Sequence, residues 1–361
     1  MRIPASRRLN AEDNADLLMS ITEEEIHMAI KGIERRKAGG SDGLNNDFYT
    51  DFELEVTPAL LRTVNDIMKG GGNSGILFTS THHSIEKKGD SANAMDYRPI
   101  SLLQTSYMIF TKVLAMRLQK FLGRLIGDTQ QGFVYLQKMD KSVVMMLELL
   151  RTKSTTTPQS LAECGGILLL DFAKVYDTLD RCYLFAVLEK FGLAERFISL
   201  IKRIHTGTTA SMQVNSGIHQ GCPLSPLIFI LVEEPLGLAL VQNHQVGRAM
   251  EMVKFFGTVS GLYIQPSKCQ YIFLTQTEVC KKWFGIPVLE QNVTTRYLGH
   301  QVGVQPLAHT NWAVRIIAIK RRVITATNCG TSVIERIQVF NAVIIPAILL
   351  QRKCFRRHQQ Y

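Results

Sequence analysis

The stretch Gly165-Gly-Ile-Leu-Leu-Leu-Asp-Phe-Ala-Lys-Val-Tyr-Asp-Thr-Leu-Asp-Arg181 limits what this chain can become more than any other. Ile167 to Leu170 are apolar and predict a short strand buried on both faces, which stops abruptly at Asp171. A carboxylate at the end of a core strand is costly unless a metal, a cation or several donors meet it, which makes Asp171 a candidate ligand. The next segment, roughly Leu179 to Phe191, sets Leu184, Val187, Leu188 and Phe191 at helical spacing and ends at Gly192, a natural cap. Strand, acidic turn and helix together make a platform for a metal. The same pattern also suits nucleotide-hydrolysing proteins, Asp-x-Asp phosphatases and a plain helix cap. The first lacks its phosphate cradle, since no Gly-x-x-x-x-Gly-Lys-Ser/Thr occurs, and the second fails because position 173 is Ala.

With 361 residues, 46% hydrophobic and 20% charged, the chain has a globular composition and room for two or three subdomains. A net charge of +10 favours a polyanionic partner, nucleic acid ahead of membrane, since no long basic amphipathic anchor is evident. The seven cysteines include no Cys-x-x-Cys pair and read as reduced thiols of an intracellular protein, nucleus and cytoplasm not distinguished. Cys354-x-x-x-His358 offers too few ligands for zinc. The first ten residues are basic without an apolar core, which reads as no signal peptide. The apolar runs 224–240 and 337–350 hold Glu233, Glu234 and Pro235, and Pro346, so both predict buried helices and not membrane spans.

Along the chain, Thr22 caps a predicted amphipathic helix with apolar residues at 26, 29, 30 and 33. Arg35-Arg36-Lys37-Ala-Gly-Gly-Ser-Asp-Gly43 is a basic Gly-rich loop, either solvated or in contact with phosphate. A helix is expected over Pro58 to Lys69, then Lys87 and Lys88, then a strand-like segment in which Arg98 precedes Pro99 and is held extended. Over Met108 to Ile126 the apolar residues form one face, while Arg117, Lys120 and Arg124 read as a second face, solvated or tracking a nucleic-acid backbone. In Ser216-Gly-Ile-His-Gln-Gly-Cys-Pro-Leu-Ser-Pro226, Gly221 allows close backbone approach, Gln220 offers a flat amide and Pro223 can start a helix. Ser260 to Lys268 reads as a turn, a strand and a lysine, Arg296 to Gly299 as a short strand, and Ile316 to Thr327 as a basic helix.

These segments, in this order, resemble the reverse transcriptase domain of non-LTR (LINE-type) retrotransposons. The resemblance is carried by Lys-Ala-Gly-Gly-Ser-Asp-Gly-Leu (37–44), Tyr-Arg-Pro-Ile-Ser-Leu-Leu (97–103), Asp-Thr-Gln-Gln-Gly-Phe (128–133), Leu-Asp-Phe-Ala-Lys-Val-Tyr-Asp (170–177), the 216–226 segment, Ser-Gly-Leu with Pro-Ser-Lys (260–268) and Tyr-Leu-Gly (297–299). It implies an α/β (α+β) right-hand polymerase: an N-terminal extension at 1–20, fingers and fingers/palm connection at 21–160, an incomplete palm at 161–275 and a thumb or connection at 276–361. It further implies attack of a primer 3′-hydroxyl on a deoxynucleotide, copied from an RNA template, with two Mg2+ ions held by convergent carboxylates. By that resemblance Asp171 is a catalytic metal ligand, the Phe172 backbone helps hold the second metal, Tyr176 excludes a ribose 2′-hydroxyl, and Gln220 and Gly221 line the nucleotide pocket. Arg98 grips the triphosphate and Lys268 assists pyrophosphate departure. Lys37, Lys87, Lys88, Arg117, Lys120 and Arg124 make the expected nucleic-acid surface.

One element of the family pattern is missing. A Tyr/Phe-x-Asp-Asp turn, on a two-strand palm hairpin, is expected after the Gln-Gly helix, yet only eight residues separate Leu240 from Ala249 and no aspartate follows Asp180. Glu233 and Glu234 lie within an apolar helix and Glu251 beyond the gap, so none substitutes on a tight turn. One ligand cannot hold two metals, so Mg2+ is not expected to be held productively and the chain is predicted not to polymerise. Unpaired palm edges also predict poor folding. A degenerate reverse transcriptase domain, a fragment of a larger polyprotein type, is the first reading. The alternatives are a non-catalytic nucleic-acid-binding remnant and a metal-dependent phosphotransferase using Asp171 and Asp177.

Overall fold

Two helices near the start of the chain begin with the same device. Asn10 caps α1 (Ala11–Leu18) and Thr22 caps α2 (Glu23–Lys31), each accepting from the backbone N–H three residues on, while Asp13 and Glu25 reach back to the cap N–H groups. Such reciprocal caps satisfy donors that a helix start leaves orphaned, at about 1 kcal/mol each. The computed structural model describes residues 3–71, 80–86, 97–135, 137, 140–151, 165–206, 216–242, 245–274, 280–290, 292–303, 307–329, 332–345 and 348–349. It is helix-rich, with small two-stranded sheets, and divides into two compact units.

The first unit takes in Met1–Leu136, Phe172–His244 and Arg248–Tyr263. After α1 and α2 come α3 (Asn46–Asp51) and α4 (Glu53–Met68), then β1 (Ser80–Glu86) paired antiparallel with β2 (Tyr97–Leu103). The long α5 (Thr105–Leu125) buries Ile109, Phe110, Val113, Leu114, Leu118 and Leu122 completely and packs against α1 and α2. Helix α4 starts five residues ahead of the expected Pro58 because Thr57, Leu60, Val64 and Ile67 make one continuous buried face. That burial outweighs the one backbone hydrogen bond an interior proline removes.

The second unit takes in Gln137–Asp171, Gln245–Gly247 and Ile264–Tyr361. Helix α6 (Asp140–Arg151) lays Val143, Met146, Leu147 and Leu150 against a core that includes Ile272, Leu289 and Val302. The strand β3 (Gly166–Leu169) begins and ends one residue earlier than expected, and its residues are half-buried where burial on both faces was predicted. The physical reason is its pairing: among the described residues it has one neighbour, β4 (Gln270–Phe273), antiparallel with Leu169 opposite Gln270, so it is an edge. Further along are the ladders β5 (Lys282–Trp283) with β6 (Ile286–Pro287) and β7 (Thr295–Tyr297) with β8 (His300–Val302). Then come α12 (Ala308–Cys329), which contains the expected basic helix, and α13 (Val333–Val339), continued by a π-helical turn Phe340–Ile344.

The first unit resumes with a short α7 (Val175–Thr178), α8 (Arg181–Lys190) capped by the Asp180 side chain, and the strongly amphipathic α9 (Glu195–Thr206). Helix α10 (Ser225–Val241) starts two residues beyond Pro223, with Pro226 in its first turn. A short link joins it to α11 (Val246–Ser260), nearly all of which belongs to this unit. Ser260 is thus a helix end where a turn was expected, and in the second unit Lys268 closes a 3-10 turn, Pro266–Lys268, ahead of β4 and not after a strand. Of the cysteines, Cys222 and Cys269 are buried, Cys280 half-buried and Cys182 exposed, all as free thiols. Among the described residues no helix is long and apolar enough to cross a membrane.

Candidate active site

The candidate residues fall in both units, and each set has its own geometry. In the second unit, the β3–β4 pairing delivers Asp171 and Lys268 to the same end of the hairpin. Lys268 Nζ lies 3.8 Å from Asp171 Oδ2, with both side chains more than half exposed. The Gln265 N–H donates to the Asp171 carbonyl at 2.8 Å, and the Asp171 N–H meets Cys269 Sγ at 3.3 Å, so the backbone around the carboxylate is fixed while its oxygens face water. Burial pushes the Cys269 thiol up, and the Asp171 charge beside it adds to that. An ion pair this exposed contributes at most about 1 kcal/mol. It sets a carboxylate and an ammonium side by side without desolvating either.

In the first unit, the segment that follows is clamped by two glycines from different motifs. Gly217 (φ +85) lets its N–H donate to the Leu179 carbonyl at 2.8 Å, and a Cβ there would lie 2.4 Å from the Tyr176 carbonyl oxygen. Gly261 (φ +73) also approaches this turn closely, where a Cβ would lie 2.2 Å from the Thr178 oxygen, while its own N–H donates to the Gly257 carbonyl of α11. No side chain fits either contact, and both backbones sit in the left-handed region that suits glycine. Ser216 Oγ donates to the Asp177 carbonyl at 2.8 Å and the Asp180 N–H donates to the Ser260 carbonyl at 2.7 Å. Both Ser-Gly pairs therefore grip the turn after the acidic strand. This role was not foreseen from the sequence, although the two Ser-Gly signals were visible in it.

Tyr176 is half-buried with its ring 5.9 Å from Phe229, and burial raises its hydroxyl pKa. Phe172 packs its ring 6.0 Å from Phe256. Gln220 is half-buried and Gly221 exposed at φ +98, in the turn that leads into α10. That turn is anchored by His219, whose N–H points at His205 Nδ1 of α9 at 3.4 Å and whose carbonyl accepts from Ser225 Oγ at 2.8 Å. The two imidazoles lie edge to face, 5.3 Å apart, beside Tyr107, whose hydroxyl meets Cys222.

Burial, then His219 and Arg181, drive the His205 pKa well below its ordinary 6.5, so it is neutral in the fold. A group whose folded pKa is depressed below the unfolded value takes up its proton in the unfolded chain first. Stability is then lost as pH falls below about 6.5, with a slope approaching ~1.4 kcal/mol per pH unit for one proton. Denaturant midpoints measured from pH 7.5 to 5 are expected to fall in this way, and His205→Asn, which keeps an acceptor but no titration, is expected to flatten the profile. An unchanged profile in that variant would show that the acid sensitivity arises elsewhere.

The expected nucleic-acid surface is only partly presented. Lys87 and Lys88 lie outside the described residues, as does the side chain of Arg98, whose backbone pairs with Ile85 in the β1–β2 ladder. Lys37 pairs with Glu34 at 3.0 Å, and Arg35 is held by Asp47 and Asp51 at 2.9 and 2.5 Å, so two cations of the basic loop have acidic partners. Lys120 is exposed, and Arg124 pairs with the α1 cap residue Asp13. Arg117 does not belong on a solvated face. Its side chain is 6% exposed, bonded through Nε and Nη2 to both oxygens of Glu25, and it donates to the Leu17, Met19 and Ser20 carbonyls at the end of α1.

The acids of α10 are engaged within the first unit. Glu234 accepts from Arg7 Nη1 at 2.6 Å and from the Gly127 N–H at 2.9 Å, and Glu233 meets the Gln130 amide at 3.3 Å. Burial raises the pKa of both carboxyls. Among the described residues no three His, Cys, Asp or Glu side chains converge to hold a metal. The donor set therefore does not fit a two-Mg2+ centre, which needs several convergent carboxylates.

Comparison with known proteins places these features in a family. Residues 85–246 match the family model described as reverse transcriptase (RNA-dependent DNA polymerase), so the matched span ends at the first residue of α11. The chain is 28% identical over 241 residues to an uncharacterized 149 kDa protein of transposon TX1 from Xenopus laevis, covering 64% of this chain and 18% of the relative. It is 26% identical over 239 residues, 63% of this chain and 32% of the relative, to a retrovirus-related Pol polyprotein from the type-1 retrotransposable element R2 of Popillia japonica. A third match, 22% identical over 265 residues, covers 68% of this chain and 24% of the corresponding polyprotein from type-2 element R2DM of Drosophila melanogaster. The chain thus spans between 18% and 32% of the length of these curated relatives. Its central part, residues 85–246, is thus similar to reverse transcriptase domains, and the curated relatives are proteins of transposable elements.

Proposed function

We propose that this domain descends from an RNA-directed DNA polymerase of right-hand architecture, has lost the means to hold its metals, and retains binding to a primer–template duplex. The observation that carries the proposal is the single strand-end carboxylate, Asp171, in a chain with no aspartate beyond Asp180. In this reading Asp171 and Lys268 are the remnant of the catalytic set, and Phe172, Tyr176, Gln220, Gly221 and Arg98 the remnant of the nucleotide pocket. Lys37, Lys87, Lys88, Lys120 and Arg124 contact phosphates. Arg117 is omitted because its guanidinium is enclosed between α1, α2 and α5. The net charge of +10 supports a polyanionic partner.

Binding to an RNA–DNA duplex, followed by fluorescence anisotropy as salt is raised, tests this. Five phosphate contacts are expected to give a log–log slope of about −4, and Lys120→Ala is expected to reduce that slope by about one. Absence of binding at low salt, or a slope near zero, overturns the proposal.

A further inference from the structure

Two basic side chains of the first unit fasten the turn from Gly217 to Cys222. Arg181 of α8 donates through Nε to the Gly217 carbonyl at 3.0 Å. His205, near the end of α9, takes the His219 N–H on its Nδ1 at 3.4 Å. An imidazole accepts at Nδ1 only while that nitrogen keeps its lone pair, so the single proton of the neutral ring is on Nε2. His205 is 1% exposed, and its Nε2 meets no acceptor among the described residues.

The groups around this ring offer nothing to balance a positive charge. From α8 it faces Arg181, and from the turn it faces His219, 5.3 Å away and also buried. Tyr107 of α5 stands 6.4 Å beyond His219, with its hydroxyl at the Cys222 thiol. On α9 itself Lys202 lies over the Phe185 ring and Arg203 reaches the Ile67 carbonyl. Among the described residues no carboxylate faces the ring. A second proton on His205 therefore removes the acceptor for the His219 N–H and sets a buried cation beside Arg181. Helix α9 is held by Phe197, Ile201 and Ile204, all completely buried, whereas Gln220 and Gly221 of the turn already reach solvent. The turn gives way before the helix does.

We propose that His205 is a proton-operated latch of the Gly217–Cys222 turn, whose protonation releases the turn while the surrounding helices stay folded. The Gly217 N–H binds the Leu179 carbonyl and the Ile218 N–H binds the Tyr176 carbonyl at 2.7 Å, so release of the turn also loosens the segment after the acidic strand. The event is local, separate from the loss of overall stability expected of the same residue, and it assumes nothing about duplex binding. In the released state His205 titrates near its ordinary 6.5, and in the closed state well below it. The opening constant is then flat above about pH 6.5 and rises up to about tenfold per pH unit below it.

Amide hydrogen exchange read by mass spectrometry on the full chain from pH 7.5 to 5, corrected for the intrinsic exchange rate, tests the proposal. Peptides from the turn are expected to lose protection about tenfold per pH unit below about 6.5, while peptides from α5 keep theirs. His205→Asn, which retains an acceptor without a titration, is expected to keep the turn closed throughout. His219→Gln, which retains the backbone donor, is expected to leave the pH dependence in place. Equal loss of protection in the turn and in α5 overturns the inference, because the whole unit then unfolds together. Constant protection of the turn across the range also overturns it. A pH dependence that survives His205→Asn, or vanishes in His219→Gln, assigns the proton to another group and overturns it too. If His205→Asn does not fold, the comparison of turn with α5 within the unaltered chain still decides the matter.

Discussion

Arg117→Ala is expected to destabilise the first unit by about 3–5 kcal/mol, the range for removing one partner from a buried ion pair. Among the described residues the side chain at 117 is one of the most completely bonded. Two of its nitrogens bind Glu25, and it also closes the carbonyls that α1 leaves open at its end. Glu25 in turn holds the cap of α2, so one deletion loosens the end of one helix and the start of another. Burial raises the Glu25 pKa, but the Arg117 hydrogen bonds, the Thr22 N–H and nearby cations outweigh it and hold the carboxyl below its ordinary 4.5. Its contribution is therefore present above that value and is lost as pH falls through the folded pKa. Urea unfolding followed by far-UV circular dichroism measures the effect, because both tryptophans, Trp283 and Trp312, lie in the second unit. A loss under 1 kcal/mol would mean that water replaces the guanidinium. Arg117→Met with Glu25→Gln is expected to recover only part of the loss, since the three carbonyls stay unsatisfied.

That arginine also shows where sequence reasoning stops. The spacing of Phe110, Leu114, Arg117 and Phe121 puts position 117 on the apolar face of α5, and only its charge suggested solvent. Charge predicts exposure when no partner is known, and the partner here sits 92 residues away on a cap. The helix start of α2 was legible because capping residues act within one turn, whereas α1 with its Asn10 cap was not foreseen. The amphipathic face of α5 was legible because its period is set locally. The half-buried character of β3 was not, since it depends on how many strands flank it, which is decided by chain far from Asp171. Likewise Gly217 and Gly261 lay within quoted motifs without a role, and their necessity appears only where each meets the turn after the acidic strand. The pairing of His205 with His219 joins two loci that no local pattern connects.

Primer extension is expected to be undetectable for this chain with Mg2+, an RNA template and deoxynucleotides, and Asp171→Ala is expected to change nothing. The argument is one of ligand number. Two metal ions that activate a hydroxyl and neutralise a leaving pyrophosphate need several carboxylates held in advance, since a preorganised group contributes about 10²–10³-fold in rate only where it meets the developing charge. Asp171 is accompanied by an ammonium, not a second carboxylate, and Glu233 and Glu234 are bonded to partners of their own. Removing Asp171 from an active polymerase would abolish extension. Removing it from a chain already short of ligands removes nothing measurable. Extension by the unaltered chain that disappears in Asp171→Ala would overturn this, and would require carboxylates that convergence among the described residues does not supply. The reciprocal experiment inserts a relative's Asp-Asp hairpin between Leu240 and Ala249. Extension gained by that insertion and lost again with Asp171→Ala locates the defect in the missing hairpin, with the β3–β4 platform still able to hold its share of the metal.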